Sequence, residues 1–154
     1  MTPSPLWTAS AAATATTGRQ TGDWSATGIS IDTRSLESGD LFVALSGPNF
    51  DGHDFITGAF DSGAAAALVS DVGQNSLDGR PGLIVADTLD ALRALAKAGR
   101  ARTGAKIAAI TGSVGKTGTK EALAHVLAPQ GSASFSKSSL NNHWGVPLSL
   151  ARMP

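Results

Sequence analysis

The segment from Lys106 to Thr117 constrains the fold of this chain more than any other, because it joins an apolar run, a glycine-spaced turn and a Lys–Thr pair. Backbone N–H groups of such a turn can point at phosphate oxygens, and a helix that begins after it adds partial positive charge. Lys116 would reach the outer phosphates of a nucleotide, and the hydroxyl of Thr117 would bind Mg2+. The segment therefore predicts a strand, a phosphate-binding loop and a helix, and with them an α/β fold.

The loop departs from the common phosphate-loop pattern G-x-x-x-x-G-K-[ST]. That pattern requires a glycine five residues before Gly115, and Ile110 occupies the position; the glycine present is Gly112, which gives T-G-x-x-G-K-T. An ordinary strand-to-helix turn with an incidental lysine is the alternative. We favour a phosphate loop because the strand, the two glycines, the Lys–Thr pair and the helix follow one another in the required order.

The charge balance and the lack of cysteine exclude several classes of protein. Twelve basic residues balance twelve acidic ones, so no overall field draws the chain to nucleic acid or to an anionic membrane. The chain has no cysteine, which excludes disulfides and thiolate metal sites. The N-terminus lacks the features of a signal peptide, and no apolar run approaches the roughly 20 residues that span a bilayer. We therefore expect a cytoplasmic protein without membrane insertion and without nucleic acid as a partner.

Apolar runs and helical spacings alternate along the chain. The predicted strands are residues 28–33, 41–45, 65–69 and 83–86, with a shorter one near 133–135. The predicted helices are residues 6–16, 54–60 with Asp54 as N-cap, 89 to 99 or 102, the stretch after the phosphate loop, and 146–151. We place a domain boundary near residues 102–106, which gives one domain at 1–103 and the beginning of another at 104–154.

The glycine variant of the loop resembles that of the Mur ligase family, the ATP-dependent amide-forming enzymes of peptidoglycan precursor synthesis. Their loop reads T-G-[ST]-x-G-K-[ST]-[ST], which residues 111–117 match. Gly118 departs from it, since a second hydroxyl residue is usual there, and glycine inside a helix costs up to about 1 kcal/mol relative to alanine. The resemblance implies that Lys116 is catalytic and that Thr117 binds Mg2+. It implies an ATP site made of Thr111, Gly112, Ser113, Val114, Gly115, Lys116, Thr117 and Gly118.

Three stretches of the first half, residues 30–34, 39–47 and 51–55, resemble the UDP-binding domain of the same family. The resemblance implies that Thr33, Arg34 and His53 bind substrate, because a Thr–Arg pair at a strand end can serve a diphosphate or a uridine. For Asp32 and Arg34 the alternative is a local surface ion pair. We find no serine or carboxylate relay for His53, so we interpret it as an ordinary hydrogen-bonded loop histidine near the nucleotide sugar, not as a catalytic base.

Two further features have simple structural explanations. Asp51 and Asp54 could suggest a metal site, but capping of a helix by Asp54 explains the pair more simply. Trp7 and Trp24 are interpreted as packing residues.

The polar segment 137–148 distinguishes members of the family. Its pattern [SN]-x-N-N-x-x-G-V-P-L resembles the member that adds D-alanyl-D-alanine to UDP-MurNAc-tripeptide. The member that adds the third residue of the peptide usually carries a T-T-P element here, and it is the alternative. The resemblance implies that Asn141 and Asn142 contact substrate or phosphate, whereas a solvated turn is the simpler structural explanation.

For a full-length relative, the resemblance implies that ATP converts the tripeptide carboxylate to an acyl phosphate, which the amine of D-alanyl-D-alanine then attacks. The family also uses acidic Mg2+ ligands, a carbamylated lysine and a C-terminal domain, which we do not find in these 154 residues. We therefore expect an N-terminal fragment that is inactive alone, from a protein that is monomeric at full length.

The same reasoning predicts uneven packing and leaves two other functions open. Residues 1–103 are expected to fold alone, while 104–154 are expected to expose apolar faces and to pack loosely. The alternatives from other classes are a non-catalytic module that binds the UDP precursor and an unrelated phosphate-loop enzyme such as a small kinase.

Overall fold

Strands and helices alternate along the residues that a computed structural model describes, 4–133, 135–136 and 143–154. In chain order the elements are β1 (Trp7–Thr8), α1 (Ala9–Thr16), β2 (Arg19–Thr21), β3 (Ser25–Ala26), β4 (Gly28–Ser30), β5 (Asp40–Val43), β6 (Ser46–Gly47), β7 (Phe50–Asp51), α2 (Ile56–Asp61), β8 (Ala66–Ser70), β9 (Gly82–Val85), α3 (Thr88–Ala101), α4 (Lys116–Leu127) and α5 (Gly145–Ala151). Short 3-10 helices lie at Thr33–Ser35, Gly52–Phe55, Gln74–Leu77 and Ala128–Gln130. The predicted α/β class is confirmed.

A five-stranded sheet forms the centre of the fold, in the order β2-β9-β8-β5-β4. Strands β4, β5, β8 and β9 are parallel, and β2 pairs antiparallel with β9 at the edge. The strands β5 and β9 are buried along their whole length. Continuous apolar runs of this kind require cover on both faces, which is why the sequence predicted these strands well.

Alternate side chains of the sheet enter two separate cores. Leu41 and Val43 face the core that α1, α3 and α5 cover, while Phe42 faces the core on the side of α2. This division follows from the period of two in a strand, which sends successive side chains to opposite faces. The result is a three-layer arrangement in which the carboxyl ends of four parallel strands open onto one edge.

The helix α5 belongs to the packing of the first half of the chain. Leu148 is 2% exposed and packs in the same core as Leu92 and Leu95 of α3. The indole Nε1 of Trp7 donates to the carbonyl of Ala151 over 3.0 Å. The expectation of loose packing throughout residues 104–154 is therefore wrong for α5, because its apolar residues find a complementary surface on α3.

Arg102 ties three segments together where α3 ends. Its two terminal nitrogens donate to the carbonyls of Leu6, over 2.8 Å, and of Met153, over 2.6 Å. The guanidinium lies 4.2 Å from the centre of the Trp7 ring, which adds a cation–π contact. Nearby, Arg152 Nε donates to the carbonyl of Ile29 over 2.8 Å. We call this set of contacts the Arg102 clasp.

The stretch between Thr103 and Ser136 contrasts with the sheet, and we call it the excursion. Its helix α4 forms as predicted after the loop but has no buried residue, and Val126 is 60% exposed. The strand predicted directly before the phosphate loop is not formed, and Ile107 is 44% exposed. A strand needs a hydrogen-bonded neighbour, which no described residue supplies here, whereas a helix makes its own backbone bonds.

Other predictions shift at the ends of elements. The first helix begins at Ala9, because Trp7 and Thr8 pair with Ala26 and Ser25. Asp54 is not an N-cap, so that prediction is wrong. Instead Asp51 caps the 3-10 helix Gly52–Phe55, and α2 follows from Ile56 without a side-chain cap.

The remaining predictions are settled only where the structure describes them. Ala133 and Phe135 are not in a strand, contrary to prediction, and residue 134 lies outside the described residues. The packing roles of Trp7 and Trp24 are confirmed, since both are buried and Trp24 Nε1 donates to the Gly82 carbonyl over 3.2 Å. Within the described ranges, no helix has the length and apolar character to cross a membrane.

Candidate functional site

The predicted phosphate loop ends in a glycine that opens α4. Gly115 has φ of +79°, a left-handed conformation that glycine adopts without strain, and it is the N-cap of the helix. No heavy atom lies within 4 Å of the position a Cβ would take at Gly115. The loop backbone is therefore open to solvent directly before Lys116, where the first N–H groups of the helix have no partner within the helix.

The side chains of the loop are arranged so that an anion could replace an internal contact. Lys116 Nζ donates to the carbonyl of Gly112, so the ammonium folds back over the loop. The rest of the predicted ATP site is exposed, namely Thr111, Gly112, Ser113, Val114, Gly115, Thr117 and Gly118. The accessible backbone and the lysine poised over it fit a nucleotide phosphate, and the exposed hydroxyl of Thr117 fits a hard cation such as Mg2+.

Thr33 and Arg34 follow the carboxyl end of β4. Asp32 accepts from the backbone N–H of Arg34 over 3.0 Å and forms a two-pronged ion pair with the guanidinium, the shorter contact being 2.6 Å. The hydrogen bond from Arg34 lowers the pKa of Asp32 below its usual value. The alternative of a local ion pair is thus what the structure contains, yet the Arg34 side chain is 88% exposed and keeps guanidinium donors in solvent.

The sequence interpretation of His53 is wrong in one respect, because both a carboxylate and a serine contact its ring. Nδ1 lies 2.5 Å from Asp51 Oδ1, and the side chain is only 9% exposed. On the other side, Nε2 accepts from the backbone N–H of Ser70 over 3.0 Å and lies 3.1 Å from Ser70 Oγ. Sequence could not reveal this pairing, since Ser70 is 17 residues away, at the end of strand β8.

The geometry around His53 does not make a nucleophilic triad. Since Nε2 accepts from a backbone N–H, the ring proton lies on Nδ1 and is donated to Asp51. The lone pair that a general base needs is therefore already used by a backbone N–H. Ser70 Oγ in turn accepts from the N–H of Gly73 over 3.2 Å. The histidine is an internal connector, in keeping with the loop role inferred from sequence.

Asp51 is the centre of this network. It accepts from the backbone N–H of His53 over 3.0 Å and from Ser46 Oγ over 2.8 Å, in addition to the ring. These hydrogen bonds, the backbone bond above all, lower the pKa of Asp51 to about 2. Among the described residues no group of three or more metal-ligating side chains is found, so Asp51 and Asp54 are not part of such a cluster.

An aromatic contact joins the short hairpin β6–β7 to the beginning of α5. The rings of Phe50 and Trp144 meet edge to face with centres 5.5 Å apart, and His143 lies 4.9 Å from Trp144. Sequence reasoning missed Phe50, Ser46 and Trp144; the signal that could have found Phe50 is an aromatic residue beside turn residues Pro48 and Asn49. The predicted residues Asn141 and Asn142 lie outside the described residues.

The structure brings the first-half candidates to one edge of the sheet. Arg34, the β6–β7 hairpin and His53 follow the carboxyl ends of neighbouring strands, where open α/β sheets bind ligands. Strands lie about 4.8 Å apart, so β4, β5 and β8 span about 10 Å along this edge. The hydrogen bonds of the described phosphate loop join residues within 112–119.

Family models match most of the chain in two consecutive stretches. Residues 25–100 match "Mur ligase family, catalytic domain", and residues 110–154 match "Mur ligase middle domain". The chain belongs to the Mur ligase family. The resemblance that the phosphate loop suggested is confirmed, and the second stretch begins at Ile110, the residue that did not fit the common loop pattern.

Individual Mur ligases are similar in sequence. The chain is 41% identical over 127 residues to the UDP-N-acetylmuramoyl-tripeptide–D-alanyl-D-alanine ligase of Bacillus subtilis (strain 168), which covers 82% of this chain. It is 44% identical over 126 residues to the ligase of the same name from Escherichia coli (strain K12), which covers 81% of this chain. The chain spans only 28% and 27% of those two relatives.

Solved Mur ligases have the same fold over this region. A crystal structure of MurF from Acinetobacter baumannii superposes with a TM-score of 0.81 at 35% identity, covering 98% of this chain and 34% of that one. MurF from Thermotoga maritima, in complex with ADP, gives a TM-score of 0.63 at 31% identity, covering 81% of this chain and 29% of that one.

Proposed function

We propose that this chain provides the first part of an ATP-dependent ligase that adds D-alanyl-D-alanine to UDP-MurNAc-tripeptide. The observation that carries the proposal is the open glycine loop before α4, in a chain whose Mur ligase relatives from Bacillus subtilis and Escherichia coli are named for this reaction. The nucleotide site would be shared between this loop and parts of the enzyme that the relatives contain beyond the matched region. The substrate site would begin at the carboxyl edge of the sheet.

At the loop, Thr111 to Gly118 would hold the phosphates of ATP and Thr117 would hold Mg2+. ATP would supply the phosphoryl group that activates the substrate carboxylate. Lys116 would exchange the Gly112 carbonyl for phosphate oxygen and would stabilise negative charge that develops during transfer. The N–H groups at the beginning of α4 would add donors and partial positive charge.

At the sheet edge, Thr33, Arg34 and His53 would serve the UDP-linked substrate. Arg34 offers exposed donors suited to a diphosphate, and Asp32 holds its guanidinium in place from one side. Asn141 and Asn142 are proposed to contact substrate or phosphate. The division into a UDP-precursor domain at 1–103 and the beginning of an ATP-binding domain at 104–154 is part of this proposal, as are a cytoplasmic location and a monomeric full-length enzyme.

A chimera tests the ligase proposal. Residues 1–154 would replace the matching region of the Bacillus subtilis relative, in cells whose own ligase can be depleted. We expect the chimera to support growth and the Lys116→Ala chimera to fail at equal expression. Failure of the unsubstituted chimera, if its purified protein binds both ATP and UDP-MurNAc-tripeptide, would contradict the proposal.

Assays of the purified 154-residue chain distinguish part of a ligase from a non-catalytic binding module. We expect calorimetry to detect UDP-MurNAc-tripeptide binding and enzyme assays to find no ADP release dependent on D-alanyl-D-alanine. Turnover by the chain alone would overturn the second expectation. Preference of the chimera for UDP-MurNAc-dipeptide would favour the member of the family that adds the third residue.

A further inference from the structure

The contacts of His53 form a bridge between the β6–β7 hairpin and strand β8 at the carboxyl edge of the sheet. One end is Asp51, the last residue of the β6–β7 hairpin, and the other is Ser70, the last residue of β8. The hairpin pairs through two residues on each strand, Ser46 with Asp51 and Gly47 with Phe50. So short a hairpin is not stable by itself and needs an external anchor.

The ring is fixed on every side that the structure describes. Nδ1 contacts Asp51, Nε2 accepts from Ser70, and the ring edge lies over Gly73. A Cβ built at Gly73 would lie 1.9 Å from Cδ2 of the ring, so only glycine fits there. Since the side chain is 9% exposed and both nitrogens are engaged, little of the imidazole is left for a ligand.

The far side of the hairpin contacts the part of the chain that matches the middle domain. Phe50, next to Asp51, packs edge to face against Trp144 at the beginning of α5. The order of contacts is therefore strand β8, His53, Asp51, Phe50 and Trp144. This order connects the sheet that carries the substrate edge to the segment that follows the phosphate loop.

We propose that His53 is a positioning residue, which acts on the UDP-linked substrate by fixing the β6–β7 hairpin against Trp144 and not by touching the substrate. The inference rests on the proposed function only for the identity of that substrate. The bridge requires both ring nitrogens at once, because one holds the hairpin and the other holds the strand. A substitution that keeps only one of the two contacts breaks it.

Two substitutions separate the contacts. His53→Asn keeps a donor near the Nδ1 position for Asp51, and His53→Gln keeps an acceptor near the Nε2 position for Ser70. The reporters are the indole N–H signals of the three tryptophans in 15N-labelled protein, assigned with Trp144→Phe. Trp7 and Trp24 donate to backbone carbonyls in the core and report whether the fold is intact.

We expect both substitutions to shift the Trp144 signal while those of Trp7 and Trp24 stay in place. A Trp144 signal that stays in place in either variant overturns the bridge. If all three signals move, the Asp51→Ala variant decides. The Asp51 side chain is half-exposed, so its removal releases the end of the hairpin from His53 without disturbing the core. Trp144 moving alone in that variant supports the proposal, and Trp144 unmoved overturns it. The matched control is Asp54→Ala, an exposed carboxylate in the same 3-10 helix, which should change none of the signals.

Binding of UDP-MurNAc-tripeptide gives the functional readout. Loss of one hydrogen bond of the bridge is expected to weaken binding about fivefold in each His53 variant. Equal affinity in a variant whose Trp144 signal has shifted overturns the positioning role. If the unsubstituted chain does not bind this ligand, the proposed substrate is wrong, while the indole signals still decide whether the bridge exists.

Discussion

The helices α3 and α4 show how differently two similar sequence patterns are used. Both carry apolar residues at helical spacing, and both form. Leu92 and Leu95 of α3 are fully buried against the sheet, whereas Leu123 and Val126 of α4 are 37% and 60% exposed. A helix needs only its own backbone to form, but the free energy that makes it persist comes from burial of its apolar face. The sheet region is therefore stable by packing, and the excursion is held mainly by its two ends.

The largest expected effect is a loss of stability when one apolar side chain is shortened in a packed helix, α5, compared with the exposed helix α4. Leu148→Ala removes a residue that is 2% exposed in the core between α5 and α3, and it is expected to cost about 2–5 kcal/mol of unfolding free energy. Val126→Ala on α4 is expected to change stability by less than about 0.5 kcal/mol. Urea denaturation measures both, and equal costs would show that α4 is packed as tightly as α5.

Hydrogen exchange compares the same regions without substitution. Amides in the middle of β8 and α3 open only in large unfolding events, because both elements are buried in the core. Amides of α4 are expected to exchange at least about 100-fold faster relative to their intrinsic rates. Uniform protection across α3 and α4 would remove the distinction between the sheet region and the excursion.

The pH dependence of stability tests the hydrogen bonds that Asp51 makes in the His53 network. The pKa of Asp51 falls from its ordinary value of 3.8 to about 2 in the folded chain, so the folded state binds fewer protons than the unfolded state in this window. The stabilisation is complete above about pH 4 and is lost as the pH falls towards 2. Because the side chain is 52% exposed, solvent screening limits the effect to about 1 kcal/mol or less.

Asp51→Asn is expected to remove this contribution. The difference in melting temperature between the unsubstituted chain and the variant should shrink from pH 5 to pH 2. A difference for Asp51→Asn that does not vary with pH would mean that the carboxylate is not held by the His53 network.

The smallest expected effect concerns the one residue of the loop that departs from the family pattern. Gly118 lies in the first turn of α4, and no atom is within 4 Å of the position of an added Cβ. Gly118→Ala should therefore raise the free energy of local unfolding of α4 by about 0.5–1 kcal/mol, through helix propensity alone, and slow the exchange of its amides accordingly. A Gly58→Ala substitution in α2, which is also free of close neighbours, is the matched control and should not affect α4. Loss of helix signal at α4 on Gly118→Ala would contradict this account.

Sequence predicted those parts of the fold where local pattern and packing agree. The strands β8 and β9 follow from apolar runs that only a doubly covered sheet can bury, and α3 follows from leucines at helical spacing. The turn at Gly115 and the helix α4 after it followed from glycines and a Lys–Thr pair that are adjacent in the chain. In each case the information lies within about fifteen residues.

The failures concern contacts between distant residues. The apolar run before the phosphate loop had the composition of a strand but has no described neighbour to pair with. The link from His53 to Ser70 joins a 3-10 helix to the end of β8, and the packing of Leu148 on α3 joins residues about 50 positions apart, so neither leaves a periodic signal. Asp54 satisfied the rule for an N-cap, but Asp51 lies one turn earlier. Asp51 is the N-cap because its carboxylate accepts from the backbone N–H of His53.

The Arg102 clasp determines how freely the excursion can vary in length. It secures the chain where the excursion leaves α3 and again at Met153, just past α5, so the intervening residues form a loop with a fixed base. The entropy of closing a flexible loop grows only slowly with its length, by about 0.6 kcal/mol for each doubling. Residues added near Gly104, where no atom crowds the backbone, would lengthen the tether without loosening the base. This part of the molecule can therefore gain or lose length while the sheet stays unchanged.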